Sequence, residues 1–466
     1  MQKSIFWVGL WLLPAMGMAQ GVHPYVHPIE QERDSVEAKS LQQFFRKGTL
    51  FGHGRTFFMA TDNAAGFQDY HALAAGMGIA YESGSFHGFQ MGLSGFFNYN
   101  LFSNSIYSAD PRTGLPNRYE VGLFDVERPH EREDMDRLED LYIKYSRNKF
   151  EAVFGKQHIK SPFINPQDGR QRPTLVEGLQ VQWQAHPKLH LHGAYLYALS
   201  PRSTVRWFGI GHSIGVFPAG VNTSGQASNY AGKIPTEYVA FVGANYKPVR
   251  GLELQAWNMH VDQLMNNLLL QGDYRLPVGA GALRVGAQFI AQNGLVEAGA
   301  AHDYLQPGHR ARVYGARVGA DLPRKFQMTL NYSHIADADR YLMPREWGRD
   351  PMFTFLPRER NEGYANVDAI SLSIKKQVNG KLMLSSGTGA YRLPAPDDAV
   401  RNKYAMPSYY QINLDAFYTF GGWFEGFTGQ LLYVYKTPMS TAPLNDRWVV
   451  NKVNMSLWNV VVNYHF

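Results

Sequence analysis

Apolar and polar residues alternate along most of the chain, from about position 48 to the last residue. From Trp458 to Phe466, every even position is apolar or aromatic, whereas the odd positions are mostly polar. The same alternation marks the segments 86–99, 282–290 and 410–420. A period of two predicts β-strands with one apolar and one polar face. Lengths of roughly 9–14 residues are what tilted strands need to cross a bilayer.

The connections between these segments are either short or long. The short ones include residues 84–85, 186–188, 248–251 and 322–325, and the long ones include roughly residues 100–137, 200–235 and 337–362. Tight periplasmic turns and long external loops are typical of outer-membrane barrels. One-sided strands also fit a soluble sandwich of two sheets, but a sandwich has no reason to sort its connections by length. The pattern therefore predicts an all-β fold, a transmembrane antiparallel up-and-down β-barrel.

About eighteen strands can be counted from position 48 onward. They are predicted to start near positions 48, 71, 86, 138, 149, 176, 189, 236, 252, 266, 282, 310, 325, 365, 381, 408, 426 and 453. Sixteen strands also fit, because boundaries predicted from a single sequence err by about 2–4 residues. An even number places both ends of the barrel on the periplasmic side. A barrel of about 16–18 strands has a lumen wide enough for water.

The start of the chain predicts export. Residues 1–19 combine a basic residue near the start, a short apolar run and small residues before the cleavage point, which is typical of a signal peptide. An uncleaved anchor helix is the alternative, but the run is short for a membrane span. We expect residues 20–47 to form a periplasmic arm with a short helix at 35–46. Residues 48–466 would then form the barrel, in the outer membrane of a Gram-negative bacterium.

Composition and motifs exclude several classes of function. The chain has no cysteine, so disulfides, thiolate metal sites and thiol nucleophiles are excluded. A formal net charge of +6 over 466 residues is too small to indicate nucleic-acid binding. We find no nucleophile elbow, zinc-protease motif or phosphate-binding loop. We therefore predict neither an enzyme nor a bound cofactor.

The polar face of the strands would line the lumen, and that face is predominantly basic. The parity of their strands places Arg284, Arg317, Lys375 and Arg392 on it. A row of cations along a low-dielectric wall attracts anions and offers bidentate sites for carboxylates. The alternative is that these charges only pair across the lumen and keep it wet.

The connection between the fifth and sixth predicted strands is rich in proline and charge. Three prolines within a dozen residues disfavour a strand and favour a rigid loop. The charged residues of this region are Asp168, Arg170, Arg172 and Glu177. We expect this third external loop to fold inward, narrow the pore and grip a solute through both signs of charge. The alternative is an external loop whose charges are merely solvated.

Two weaker signals concern metal ions. His190 and His192 lie two residues apart on a predicted strand and share a face, which fits a metal site. Polar lining of the lumen is the simpler interpretation of this pair. The run 127–140 is dense in charge and would fit divalent cations between lipopolysaccharide headgroups, although a solvated external loop explains it better. We predict no metal site.

Four segments carry a resemblance to a known family. The segment 48–63, GTLFGHGRTFFMATDN, is similar to the first strand of the OprD-type outer-membrane porins, and the segment 80–101 resembles their second hairpin. The segment 154–179 resembles the region around their third loop, and the segment 200–207 fits as well. The resemblance implies an eighteen-stranded monomeric barrel that passes small hydrophilic solutes, often carboxylates.

The resemblance also implies a basic ladder beside a constriction of inward-folded loops. By motif match, Arg55 would be a ladder residue, and Asp168 and Arg170 would be constriction residues. We predict a passive, partly selective channel for amino acids, small carboxylates or short peptides; an outer-membrane barrel enzyme or adhesin is the alternative. Its expected partners are outer-membrane lipid, lipopolysaccharide and the barrel-assembly machinery. The assembly machinery is expected because Tyr464 and Phe466 resemble the terminal signal that it reads.

Overall fold

The computed structural model describes residues 36–133, 135–167, 170–297 and 303–466. Within them, eighteen antiparallel strands form one closed barrel, because each strand pairs with the next and the last pairs with the first. The strands are β1 (Thr49–Asp62), β2 (Tyr70–Glu82), β3 (Phe89–Ser103), β4 (Arg137–Arg147), β5 (Phe150–Gln157), β6 (Leu175–His186), β7 (Leu189–Ser200), β8 (Val239–Tyr246), β9 (Leu252–Val261), β10 (Met265–Val278), β11 (Gly281–Gly294), β12 (Arg310–Leu322), β13 (Phe326–Ile335), β14 (Val367–Gln377), β15 (Leu382–Arg392), β16 (Tyr409–Thr419), β17 (Phe427–Pro438) and β18 (Met455–His465). A two-residue strand, Phe208–Gly209, pairs with the end of β7 outside this series. The predicted barrel is confirmed, with eighteen strands rather than sixteen.

The predicted strand starts all lie within three residues of the observed ones. The largest differences are at β3 and β8, which begin at Phe89 and Val239 rather than near positions 86 and 236. Alternation specifies these elements well, because a register shift of one residue would move every apolar side chain from lipid to lumen.

Helical structure is confined to short segments. Helix α1 (Leu41–Arg46) precedes β1 and covers only the second half of the helix predicted at 35–46. Helices α2 (Ile210–Ser213) and α3 (Asp446–Val449) are single turns within long connections. None of the described helices is long and apolar enough to cross a membrane. The predicted signal peptide, residues 1–19, lies outside the described residues.

The two ends of the barrel differ in the length of their connections. At the end that carries α1 and the last residue, every connection has between two and seven residues. At the other end, seven of the nine connections have 15 or more residues, and the longest, between β7 and β8, has 38. This is the predicted arrangement of periplasmic turns and external loops.

The last strand shows the two faces of the wall. Trp458, Val460 and Val462 of β18 project outward and are exposed, whereas Asn459 and Val461 point inward and are at most 3% exposed. An outward apolar face is what the hydrocarbon layer requires, and closure of the barrel leaves no unpaired strand edge within it.

The hydrophobic core lies inside the barrel, towards the long loops. One cluster joins inward residues of β6–β16 to loop residues such as Trp347 and Tyr364, both fully buried. A second cluster joins inward residues of β1, β2, β17 and β18 to Tyr119, Leu123 and Phe124 of the β3–β4 connection. Since these loop residues pack against the inner wall, the long loops fold into the lumen.

Candidate functional site

The connection between β13 and β14, residues 336–366, crosses the lumen. Its backbone accepts hydrogen bonds from the side chains of Gln288 on β11, at 3.0 Å, and Gln411 on β16, at 2.7 Å. Arg358 of the same connection donates to Asn459 on β18 at 2.7 Å. These contacts lie on well-separated strands, so the segment spans the interior and divides it.

A cavity of about 680 Å³ lies against this segment. It is lined by residues of the six connections β3–β4, β5–β6, β7–β8, β13–β14, β15–β16 and β17–β18, and we call it the central cavity. Among the described lining residues, nine are basic and only Glu359 is acidic. The lining of the cavity is therefore predominantly positive, and two of its cations have carboxylate partners: Arg345 pairs with Glu362, and Arg118 pairs with Glu359.

Glu359 is already bound by two cations. The Arg118 Nη2 atom lies 3.0 Å from each carboxylate oxygen, and the Lys436 Nζ atom lies 3.2 Å from one of them. Burial would raise the pKa of Glu359, but the charges of Arg118, Lys436 and Arg345 lower it to about 2. The carboxylate is ionised at neutral pH, and its charge is compensated by its own partners.

Two other guanidinium groups of the central cavity donate to neutral oxygens. Arg202 donates to the backbone oxygen of Arg345 at 2.7 Å and lies 4.4 Å from the ring centre of Phe217. Arg360 donates to the side-chain oxygen of Gln167. No carboxylate of the described residues forms an ion pair with either group. Burial, and then neighbouring arginine charges, lower the pKa of Arg202 and bring that of Arg360 to about 10.

Two ammonium groups of the cavity, those of Lys403 and Lys452, also donate to neutral oxygens. Lys403 donates to the hydroxyl of Tyr230 at 2.9 Å, and its Nζ atom lies 4.6 Å from the ring centre of Tyr304. Lys452 donates to the backbone oxygen of Ala405 at 2.9 Å. Burial is the main cause that lowers the pKa of Lys403 to about 8 and that of Lys452 to about 7. Protonation of both groups therefore depends on pH in the physiological range.

Four of the five predicted ladder residues point into the lumen: Arg55, Arg284, Arg317 and Lys375. Arg284 lies 2.7 Å from a carboxylate oxygen of Asp321. The Nε atom of Arg317 donates to Asp273 at 2.8 Å. Arg284 therefore pairs with a carboxylate on the neighbouring strand β12, and Arg317 pairs with one on β10, across the intervening strand β11.

The prediction that Arg392 lines the lumen is wrong. Its neighbour Tyr391 points inward and donates to the backbone oxygen of Thr354 at 2.7 Å, so Arg392 points outward. It lies opposite Asp368 of β14, at the external end of the wall. A charged outward side chain is tolerated there because the strand end lies near the membrane interface.

The β5–β6 connection, residues 158–174, reaches across to the first strand. The side chain of Gln171 donates to the backbone oxygen of Arg55 at 2.9 Å. Arg170 lines the central cavity, as expected for a residue of an inward loop. Asp168, the acidic residue predicted beside it, lies outside the described residues.

The two remaining residues of the predicted third loop are placed elsewhere. Arg172 points into the lumen but pairs with Glu139 of β4, away from the lining of the central cavity. Glu177 belongs to β6, on its outward face, and pairs with Lys156 of β5. The prediction that Glu177 lies in the constriction is wrong. Strand β6 begins at Leu175, two residues before Glu177, and the alternation of β6 turns Glu177 towards the membrane.

The histidine pair does not form a larger ligand group. His190 and His192 share a face, with ring centres 6.0 Å apart, and the Nε2 atom of His192 lies 3.2 Å from Asn245. Across the described ranges, no three His, Cys, Asp or Glu side chains are grouped so that they could hold a metal ion.

Most residues of the central cavity carry no signal in the sequence that predicts their place there. Glu359, Arg360, Arg202 and Lys403 lie in long connections, where no periodicity assigns a face. The only local signal is composition: residues 344–360, PREWGRDPMFTFLPRER, hold three prolines and four arginines. Such a segment is too rigid and too charged for an ordinary flexible loop.

A closed eighteen-stranded barrel with an apolar outer face, a polar inner wall and inward-folded external loops is the architecture of an outer-membrane porin. The family model for outer membrane porins of the OprD family matches residues 44–302, more than half of the chain. The chain therefore belongs to the OprD family, and its place is the outer membrane of Gram-negative bacteria. The resemblance described from the sequence is confirmed. Members of this family are channels rather than enzymes.

Solved structures share this fold. Pseudomonas aeruginosa OccK9 (OpdG) superposes with a TM-score of 0.70 at 14% identity, covering 91% of this chain and 99% of that one. Pseudomonas aeruginosa OpdK, solved with vanillate, gives 0.69 at 14% identity with the same coverage. Acinetobacter baumannii OccAB2 gives 0.69 at 15% identity, again over 91% and 99% of the two chains. No functionally curated protein matches the chain.

Proposed function

We propose that this porin is a passive channel selective for small anionic solutes, carboxylates in particular, and that the central cavity is its constriction. The observation that carries the proposal is the charge of the cavity, nine basic lining residues against one carboxylate that is already ion-paired. A field of one sign within low-dielectric walls raises the local concentration of counter-ions. OpdK was solved with vanillate, an aromatic carboxylate, which is compatible with this substrate class.

The proposed path begins in the external loops. A solute exchanges water for contacts with Arg202 and Arg360, passes Arg170 of the β5–β6 connection and continues along the inward residues Arg55 and Lys375. Binding at each step must remain weak enough for release. No cofactor takes part in this mechanism.

Planar-bilayer recording in a KCl gradient tests the proposal. The purified porin should conduct ions, and its reversal potential should show a preference for chloride. Replacing Arg55, Arg284 and Arg317 together by Gln should shift the reversal potential towards potassium, because Asp273 and Asp321 then lose partners. Arg250→Gln, in an exposed periplasmic turn, is the matched control and should change nothing.

Two outcomes would contradict parts of this proposal. Absence of any conductance would refute the proposal that the protein is a channel. It would favour the alternative, an enzyme or adhesin built on the same barrel. An unchanged reversal potential in the triple variant would refute the ladder while leaving the cavity as the source of selectivity.

We also propose that the barrel functions as a monomer surrounded by lipopolysaccharide. Its outward face carries exposed apolar residues around the whole circumference, as lipid contact requires, and no described strand edge is left for a second copy. Native mass spectrometry in detergent should give one chain per particle, and a trimer would contradict the proposal.

A further inference from the structure

Two arginines project outward at the external end of β12. Arg310 and Arg312 flank Ala311, which points inward and is fully buried, so both arginines face away from the lumen. Tyr314, the next outward residue of β12, stacks on His334 of β13 with ring centres 6.4 Å apart. Aromatic residues on the outer face of a barrel mark the membrane interface. The two arginines therefore lie at the level of the lipid headgroups.

Both arginines are placed beside Asn293 of β11. The Nη2 atom of Arg312 donates to the side chain of Asn293 at 2.9 Å, and Asn293 lies directly opposite Arg310 in the strand register. The Nη1 atom of Arg312 donates to the backbone oxygens of Gln292 and Ala311, at 2.9 and 2.8 Å. These three bonds use part of the guanidinium, and one N–H on Nη2 and the N–H on Nε remain for a ligand.

The carboxylates at this rim bind groups other than the two guanidinium groups. Asp368 of β14 lies 3.0 Å from the Nδ1 atom of His334, and Asp339 accepts from the backbone N–H of Arg310 at 2.7 Å. Among the described residues, no carboxylate forms an ion pair with the side chain of Arg310 or Arg312. The arginine pair therefore keeps a net positive charge even when Asp339 is counted against it.

An apolar groove begins next to this pair on the same outer wall. It has a volume of about 510 Å³ and crosses β8–β11, with the small residues Ala256 and Gly272 among those that line it. Phe289 lines the end nearest the arginines, since its ring lies 5.4 Å from that of Tyr314. Tyr246, which precedes a periplasmic turn, lines the other end. Three interstrand spacings separate β11 from β8, about 14 Å, which is the length of an extended acyl chain of about twelve carbon atoms.

We infer that β8–β12 carry a defined site for one lipopolysaccharide molecule, in which Arg310 and Arg312 bind a phosphate of lipid A and one acyl chain lies in the groove. The arginines face the outer leaflet, where lipopolysaccharide is the lipid that combines phosphate groups with several acyl chains. Guanidinium groups donate paired hydrogen bonds to phosphate oxygens. The inference rests on the proposed placement of the barrel among lipopolysaccharide and gives that contact a location; it does not depend on the selectivity of the channel.

Native mass spectrometry of the purified, delipidated porin in detergent tests this inference. The three probes are intact lipid A, lipid A from which both phosphates have been removed, and phosphatidylglycerol. The phosphates of lipid A are monoesters with close to two charges at pH 7.5, whereas the phosphodiester of phosphatidylglycerol carries one. The porin should bind one copy of intact lipid A, with a dissociation constant about tenfold lower than that for either other lipid.

Paired variants assign the preference for phosphate to the two arginines. Replacing both Arg310 and Arg312 by Gln should make intact and dephosphorylated lipid A bind equally. Replacing both by Lys keeps the charge and should retain most of the preference, which separates loss of charge from disturbance of the strand. The control combines Arg147→Gln and Lys376→Gln, which remove two outward cations at the periplasmic end, and should retain the preference fully. Every variant should keep the wild-type reversal potential, because the site faces the membrane.

A second variant tests the groove. Ala256→Phe places a ring in the groove and should weaken the binding of intact and dephosphorylated lipid A by the same factor, about threefold, through lost apolar contact. Ala416→Phe adds the same ring on the outward face of β16, outside the groove, and is the control. Its affinity for lipid A should equal that of the wild-type protein.

Each failure contradicts a different part of the inference. Equal binding of intact and dephosphorylated lipid A by the wild-type porin would overturn the phosphate site. Phosphatidylglycerol bound as tightly as lipid A would overturn the assignment to lipopolysaccharide, and unchanged affinity in Ala256→Phe would overturn the place of the acyl chain. Absence of lipid A binding by a monomeric channel that still prefers chloride would overturn this inference and leave the proposed function standing.

Discussion

Among the described residues, Glu359 is a carboxylate that pairs with two cations, the fully buried Lys436 and the partly buried Arg118. Removing one partner of a buried ion pair leaves the other charge uncompensated, which typically costs about 3–5 kcal/mol. Glu359→Gln should therefore lower the free energy of unfolding by about 3 kcal/mol, a value at the low end because two cations can still reach the amide oxygen. Denaturant unfolding in detergent micelles measures this difference.

The matched control is Glu127→Gln. Glu127 pairs with Arg206, whose side chain is 57% exposed, so solvent screens the pair. The control should lose no more than about 1 kcal/mol. A loss at Glu359 as small as that at Glu127 would show that burial of the central ion pair contributes little.

The same carboxylate predicts the response to acid. Its pKa is lowered from 4.5 to about 2, so the stability it provides is complete above pH 4.5 and is lost as the pH falls towards 2. The wild-type protein should lose stability over this interval, and Glu359→Gln should lose less because the amide does not titrate. Thermal unfolding followed by circular dichroism between pH 5 and pH 2 compares the two slopes; parallel slopes would contradict the assignment.

At the scale of elements, the strands were predictable and the external loops were not. Alternation places the start of each strand within three residues, because every strand must present one face to lipid. The parity of Arg392 was misjudged at a strand end, where alternation no longer separates lipid from lumen. Glu177 was predicted in the constriction loop, although it lies in β6. In the β13–β14 connection, Arg358 and its neighbour Pro357 form hydrogen bonds with barrel strands that lie more than 50 residues away in sequence.

The β13–β14 connection should control the conductance. Replacing residues 346–360 with a short Gly-Ser linker removes the segment that crosses the lumen, while β13 and β14 keep their pairing. Conductance should rise several-fold and anion preference should fall. The control is the same type of replacement at residues 440–443, which are exposed in the β17–β18 connection. Unchanged conductance in the first variant would place the narrowest point elsewhere.

The end of β18 is the element that closes the barrel. The backbone of Phe466 exchanges two hydrogen bonds with Gly52 of β1, at 2.9 and 3.1 Å, and its ring covers Gly52 so closely that a Cβ atom there would overlap it. Tyr464 stacks between Phe427 and Phe466, at 4.5 and 5.3 Å. These contacts fix the last strand at the periplasmic rim.

Deleting Phe466 should therefore reduce insertion into the outer membrane without reducing export. Membrane fractionation should show less mature protein in the outer membrane and more in the periplasm. Phe424→Ala removes an exposed aromatic ring at the same rim and is the control, expected to insert normally. Normal outer-membrane yield of the truncated chain would contradict the role of Phe466 as an assembly signal.

At the scale of the whole molecule, the site exists only because the barrel is closed. Arg118 and Glu359 are 241 positions apart in sequence, and their contact requires two external loops to meet inside one lumen. Sequence patterns carry information over a few residues and define the wall. They do not specify which loops meet, because loop packing depends on tertiary contacts that leave no period in the sequence.

The field of the whole cavity should weaken as pH rises. Lys452 and Lys403, with pKa values lowered to about 7 and about 8, lose their charges between pH 6 and pH 9. Burial raises the pKa of Asp350 to about 6, so its ionisation adds negative charge at the start of the same interval. Both effects have the same sign, and chloride preference, measured as reversal potential in a KCl gradient, should decrease steadily from pH 6 to pH 9. The variant Lys452→Arg keeps a positive charge at this position from pH 6 to pH 9 and should show a smaller decrease. A reversal potential that does not change with pH in the wild-type protein would mean that these lysines do not contribute to the field at the constriction.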